Sequence, residues 1–261
     1  MKTNTRLFLT TYEADYPWLY YLLSSIEKYA SGFSGMTIVC DNDKSLIPQD
    51  TINIIKSMPL DVIYVDPPTE KPPAMTRRIG YMWQQIIKLG WWKYCDEDVC
   101  VQVDTDCMFK QAFTPDTFKD KDGKITWNYR PWKTMPQTHW LPSTLKLLGL
   151  NSLENQGMMG RYFTLTRDCT KKLIEHISKK DAELWGWDFC TENNIEEFSE
   201  YCLYGSFIEN IYKKHDYSLQ VWEDSVHFQL AHAHISCKYW SYYGVTPEIK
   251  TEYESYLKDE S

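Results

Sequence analysis

No apolar run in this chain comes near the roughly 20 residues needed to cross a bilayer. The opening stretch from Met1 to Arg6 is polar and leads straight into a candidate strand, so neither a secretory leader nor a membrane anchor is expected. The eight cysteines, at positions 40, 95, 100, 107, 169, 190, 202 and 237, make no C-x-x-C pair and no zinc-ligand spacing. They read as reduced, mostly buried thiols of a cytoplasmic protein. Positive charge is also short: 28 Lys and Arg face 36 Asp and Glu, a net charge of −8. That sign gives no overall footprint for phosphate polymers, although a local basic groove is compatible with it. Internal repeats, low-complexity tracts and a dividing linker are missing too, so residues 1–261 are expected to form one domain. Aromatics, by contrast, make up 15% of the chain, with 11 Trp and 19 Tyr. They serve either as a bulky core or as stacking platforms for sugars or bases, and composition does not separate the two.

The first hundred residues alternate short apolar runs with helical patterns, as parallel α/β units do. Strands are expected at Arg6 to Thr11, Met36 to Cys40, Asp61 to Val65 and Val99 to Val103. Between them, Trp18, Leu19, Leu22, Leu23, Ile26 and Tyr29 recur at helical spacing, with Pro17 where a first turn tolerates it. A short helix is expected at Thr51 to Ser57 and a stronger one at Arg77 to Leu89, its apolar face built from Ile79, Met82, Trp83, Ile86 and Ile87. The second half is less regular. It offers strands at Ile125 to Tyr129, Met158 to Leu165 and Ser218 to Trp222, and helices at Pro142 to Leu150, Arg167 to Ile177 and Phe198 to Tyr212. The expectation is one α/β domain, with a nucleotide-binding half over about residues 1–110 and an acceptor half over about 111–261.

The strongest chemical signal is V-C-V-Q-V-D-T-D-C-M-F, residues 99 to 109. A buried strand ends in two carboxylates one residue apart, where open α/β sheets bind ligands. Asp104 and Asp106 repel each other unless a cation lies between them. Mg²⁺ or Mn²⁺ held by one or two carboxylates together with diphosphate oxygens is the matching arrangement for a nucleotide substrate. A bare D-x-D is common by chance and most are solvated turns; the preceding apolar strand raises this one above that level.

Together with G-Y-M-W-Q-Q-I-I-K-L (residues 80 to 89), this strand resembles a group of little-characterised bacterial and phage GT-A glycosyltransferases. The opening T-T-Y at 10 to 12, Phe198-Ser199-Glu200-Tyr201 and Tyr204-Gly205 fit the same group, so the likeness spans most of residues 6 to 210. It implies a GT-A fold, a Rossmann-like nucleotide-binding sheet plus an acceptor-binding half. The partners implied are a nucleoside-diphosphate-sugar donor and a hydroxyl acceptor. Thr10, Thr11 and Tyr12 would meet the base and ribose, and Asp104 would serve nucleotide-sugar and metal together. Asp41 would sit beside the base, or else be a turn acid closing the second strand. Arg77, Gln84 and Lys88 would face the nucleotide from one side of their helix, Arg77 and Lys88 as cations for the diphosphate. The bland alternative is a solvated polar face.

The resemblance further implies that Glu200 is the general base that deprotonates the acceptor, against the alternative of a helix start capped by Ser199. Asp188, in Trp185-Gly186-Trp187-Asp188, is the reserve base, its two Trp able to stack on a sugar. A third metal ligand would come from His227, His232 or His234, the last two alternating onto one strand face; structural hydrogen bonding is the commoner fate of a histidine. The expected reaction is metal-assisted sugar transfer to a glycan or small molecule. Alternatives are transfer to a hydroxymethylated base in phage DNA, a nucleotidyltransferase, and a non-catalytic sugar-binding module. The nucleotidyltransferase lacks support because Leu9 to Ala14 carries no Gly-rich, basic phosphate loop.

Overall fold

The computed structural model describes residues 4–41, 44–131, 139–153, 155–157, 162–213, 216–221, 236–238 and 244–258. At its centre is a five-stranded sheet in the order β3-β2-β1-β4-β8. The strands are β1 (Thr5–Thr11), β2 (Met36–Asp41), β3 (Leu60–Val65), β4 (Val99–Val103) and β8 (Tyr162–Thr166). The first four are parallel and β8 runs antiparallel to β4. The molecule is thus α/β with a mixed, mainly parallel sheet flanked by helices, compatible with a Rossmann-like fold. β4 is buried at every position, as a near-continuous apolar run covered on both faces should be.

Side-chain alternation sends the strands to two cores. Leu7, Leu9, Ile38, Val101 and Val103 pack on one face with α1 (Tyr16–Tyr29), joined at their margin by α2 (Gln49–Ser57). Phe8, Val39, Cys100, Phe163 and Leu165 pack on the other with α3 (Ile79–Leu89), α5 (Arg167–Ser178) and α7 (Glu200–Phe207). A short β5 (Cys107–Phe109) follows β4 and pairs antiparallel with β10 (Ser236–Lys238). A second sheet sets β6 (Ile125–Pro131) between β7 (Asn155–Gly157) and β9 (Tyr217–Val221). The remaining helices are α4 (Trp140–Leu148), α6 (Asp188–Glu192) and α8 (Pro247–Leu257).

Most expected elements stand within a few residues of their sequence limits, and three differences have local causes. Helix α3 starts at Ile79, because Arg78 is extended (φ −65°, ψ 145°) as the N-cap, which leaves Arg77 outside the helix. The helix expected through Tyr212 is α-helical only to Phe207 and widens to a π turn over Ile208–Tyr212, closed by Lys213 in the left-handed region. The first part of the strand expected from Met158, residues 158–161, lies outside the described residues. Helix α8 is an addition: Thr246 caps it, Pro247 opens it, and Ile249 and Tyr253, one turn apart, bury against Trp18 and Tyr21 of α1.

Candidate functional site

The parallel strands bring Thr11, Asp41 and Val103 to one edge of the sheet, since Thr11 pairs with Cys40 and Leu9 with Val103. The strand order reverses between β1 and β4, and the crevice outside the carboxyl ends at such a reversal is where open α/β sheets bind ligands. Asp104 to Cys107 turns there, with Cys107 N–H donating to the Asp104 carbonyl at 3.1 Å. Thr105 Oγ1 donates to the Thr10 carbonyl at 3.3 Å, and Tyr253 Oη reaches the Asp106 carbonyl at 3.4 Å. The acidic turn is therefore tied to β1 on one side and to α8 on the other. Asp106 is 7% exposed and the Asp104 side chain 20% exposed.

Behind the turn lies Lys88, on the last turn of α3 and 5% exposed. Its ammonium is 2.9 Å from Asp104 Oδ1, 2.8 Å from Tyr201 Oη and 3.0 Å from Glu200 Oε1. The contact with Glu200 falls off the hydrogen-bonding angle, so it binds by charge. Two oxygens thus accept hydrogen bonds from the ammonium and a third faces it by charge, and Lys88 faces the protein interior. Burial alone would lower its pKa; Asp104 and Glu200 outweigh burial and raise it, so Lys88 stays charged. Burial likewise pushes the Glu200 carboxyl up, against the pull of Lys88. Gln85, at 2% exposure, accepts from Glu200 N–H at 3.1 Å and so joins α3 to the start of α7.

On the open side, Tyr12 is 40% exposed at the end of β1. Its phenol pKa is raised by partial burial and then by Asp15, with Asp106 and Asp41 adding to the rise and Arg78 opposing it. Tyr12, Asp41, Arg78 and Asp106 therefore share one electrostatic neighbourhood. Burial also raises the Asp41 carboxyl pKa. Thr10 and Thr11 bury their hydroxyls, at 4% and 3% exposure, with no hydrogen-bond partner among the described residues. By strand alternation Thr10 lies on the α3 side of β1, beside Asp104.

The residues expected to act together divide accordingly. Asp104, Asp106, Thr10, Thr11, Tyr12 and Asp41 gather at the sheet edge. Three others, Arg77, Lys88 and Glu200, are engaged in ion pairs. Arg77 pairs with Glu197 and touches His139 Nε2 at 2.6 Å. Lys88 is a buried counter-ion and not an open cation for a diphosphate. Glu200 is 3% exposed and lies against Lys88, and Ser199 caps α7 by accepting from Cys202 N–H. Gln84 is half-buried one position from Gln85.

Asp188 is exposed in the first turn of α6, and no contact among the described residues joins it to the acidic turn. Its neighbouring indoles are structural. Trp185 is 5% exposed and donates to the Ile86 carbonyl, while Trp187 packs on Trp83 and donates to the Glu70 carbonyl. His227, His232 and His234 lie outside the described residues. Among the described residues no three His, Cys, Asp or Glu side chains converge as a ready metal cage. Tyr201, Gln85 and Arg78 carry no site role in the reading from sequence, although Gln85 and Lys88, a helical step of three apart, share one polar stripe.

A mixed α/β sheet with an acidic turn at its strand-order reversal defines the class of protein. Over residues 5–241 the chain matches a family of unknown function (DUF6492), and it belongs to that family. No curated protein matches it.

Proposed function

We propose that this chain is a glycosyltransferase of the GT-A type, moving a sugar from a nucleoside diphosphate to a hydroxyl acceptor on a glycan or small molecule. The observation that carries the reading is the Asp104–Thr105–Asp106 turn at the point where strand order reverses, beside the Thr10 hydroxyl, which has no hydrogen-bond partner among the described residues. One buried ammonium faces the carboxylates of Asp104 and Glu200, and the carboxylate of Asp106 follows on the same turn. An all-oxygen, anionic donor set suits Mn²⁺ or Mg²⁺. Asp104 and Asp106 would hold the ion, with the donor's phosphates completing its shell or with His232 or His234 added. Such an ion offsets the charge that develops on a leaving diphosphate.

The chain's own groups supply the rest. Tyr12 offers an exposed ring for stacking on a base, and Asp41 offers a carboxylate for the polar edge of base or ribose. Arg78 is the exposed cation on this rim, in the place first given to Arg77. Lys88 and Glu200 set the charge beneath the site and touch no donor. The reading is tested by incubating the protein with a panel of nucleotide-sugars and Mn²⁺ without acceptor. One donor should release its nucleoside diphosphate slowly. Folded protein that hydrolyses none of them contradicts the proposal.

A further inference from the structure

A side chain can govern a charged site by fixing the group that meets the ligand. Tyr201, the second residue of α7, is placed to do this. Its hydroxyl accepts from Lys88 Nζ at 2.8 Å and donates to Asp104 Oδ1 at 3.2 Å. Its ring cannot swing, because Phe163 of β8 stacks on it at 3.4 Å between centroids and 18° between planes. Lys88 lies 4.8 Å from the centroid of the same ring. The start of α7 is itself anchored by Gln85. One oxygen of Asp104 therefore receives two donors, one from each of two helices packed on the same sheet face.

We propose that Tyr201 is a positioning residue for the cation site: with Lys88, it holds the Asp104 carboxylate in the orientation from which that group meets a divalent ion. The proposal rests on the reading of Asp104 and Asp106 as cation ligands and not on the transfer reaction. It is tested with Tyr201→Phe, which keeps the ring and removes only the hydroxyl, and with Mn²⁺ alone as the probe, followed through the electron paramagnetic resonance of the free ion. Wild type should bind Mn²⁺, and Tyr201→Phe should bind it about 10-fold or more weakly. Its near-ultraviolet circular dichroism should be unchanged. In an Asp104→Asn background the same substitution should add no further loss, because Tyr201 acts through Asp104. Four results would each overturn the proposal: equal Mn²⁺ affinity in wild type and variant, additive losses in the double variant, no Mn²⁺ binding by wild type, or loss of the native near-ultraviolet spectrum in Tyr201→Phe. Mn²⁺ binding with the expected losses, but no turnover of any nucleotide-sugar, would uphold the positioning role and remove the glycosyltransferase reading.

Discussion

Lys88 shows how one buried side chain decides what its neighbours can do. Its charge is tolerable because Asp104, Tyr201 and Glu200 surround it, and it offsets the charges of the two carboxylates in turn. Lys88→Met would leave two carboxylates without their cation, and a loss of about 3–5 kcal/mol in unfolding free energy is expected, measured by urea denaturation. Adding Glu200→Gln should recover part of that loss, since one of the stranded charges is then removed. A single variant as stable as wild type would contradict the ion-pair account. The sign of the pH dependence follows from the raised pKa. Stability from Lys88 is fully present below the ordinary lysine value of 10.5 and is lost only as pH climbs past it. Sequence revealed Asp104 and Asp106 because a buried strand stops at them. It concealed the inward turn of Lys88, because a polar residue on a helix reads the same whether it meets solvent, a ligand or a buried carboxylate.

The elements were legible to different degrees, and packing explains which. Strands β1 to β4 are apolar runs with polar ends, so their limits follow from composition. Helix α3 carries a regular apolar face, yet its first residue depended on the backbone of Arg78, which no periodicity reports. Helix α8 was missed although Thr246-Pro247 is a start signal and Ile249 and Tyr253 are a turn apart. Two apolar residues make a weak stripe, and only the α1 surface beneath it gives it meaning. The end of α3 offers a test of element packing. A Cβ at Gly90 would sit 3.1 Å from Trp185 Cδ1, where Trp185 donates to the Ile86 carbonyl at 2.9 Å. Gly90→Ala should therefore force the indole to shift and cost about 1–3 kcal/mol, seen as a lower melting temperature. A melting temperature at or above that of wild type would show that the indole has room to spare.

For the whole molecule, the cysteines and the net charge set the solution behaviour. Burial pushes the thiols of Cys40, Cys95, Cys169 and Cys190 from the ordinary 9.0 up to about 12. Above pH 9 the unfolded chain releases these protons and the folded chain keeps them, so stability falls as pH rises. Each thiol contributes up to about 1.4 kcal/mol per pH unit in that window. The urea midpoint should drop clearly between pH 8 and pH 10, and an unchanged midpoint would contradict the burial of these thiols. A DNA acceptor would call for aromatics that stack on bases beside basic residues, as Trp127 and Tyr129 stand beside Arg130 in the sequence; both rings are buried in the core, at 1% and 7% exposure. Trp132 and Lys133 lie outside the described residues. With a net charge of −8, hydroxymethylated duplex DNA should not bind even at low salt, about 50 mM, as judged by fluorescence anisotropy. Saturable binding there would restore the nucleic-acid alternative.

The central claim concerns the second carboxylate of the acidic turn, and one comparison tests it most directly. On whichever nucleotide-sugar wild type hydrolyses with Mn²⁺, Asp106→Asn should be slower by about 10²-fold or more, with the circular dichroism spectrum unchanged and wild-type turnover abolished by EDTA. Near-normal hydrolysis by Asp106→Asn, or wild-type hydrolysis that persists in EDTA, would contradict it.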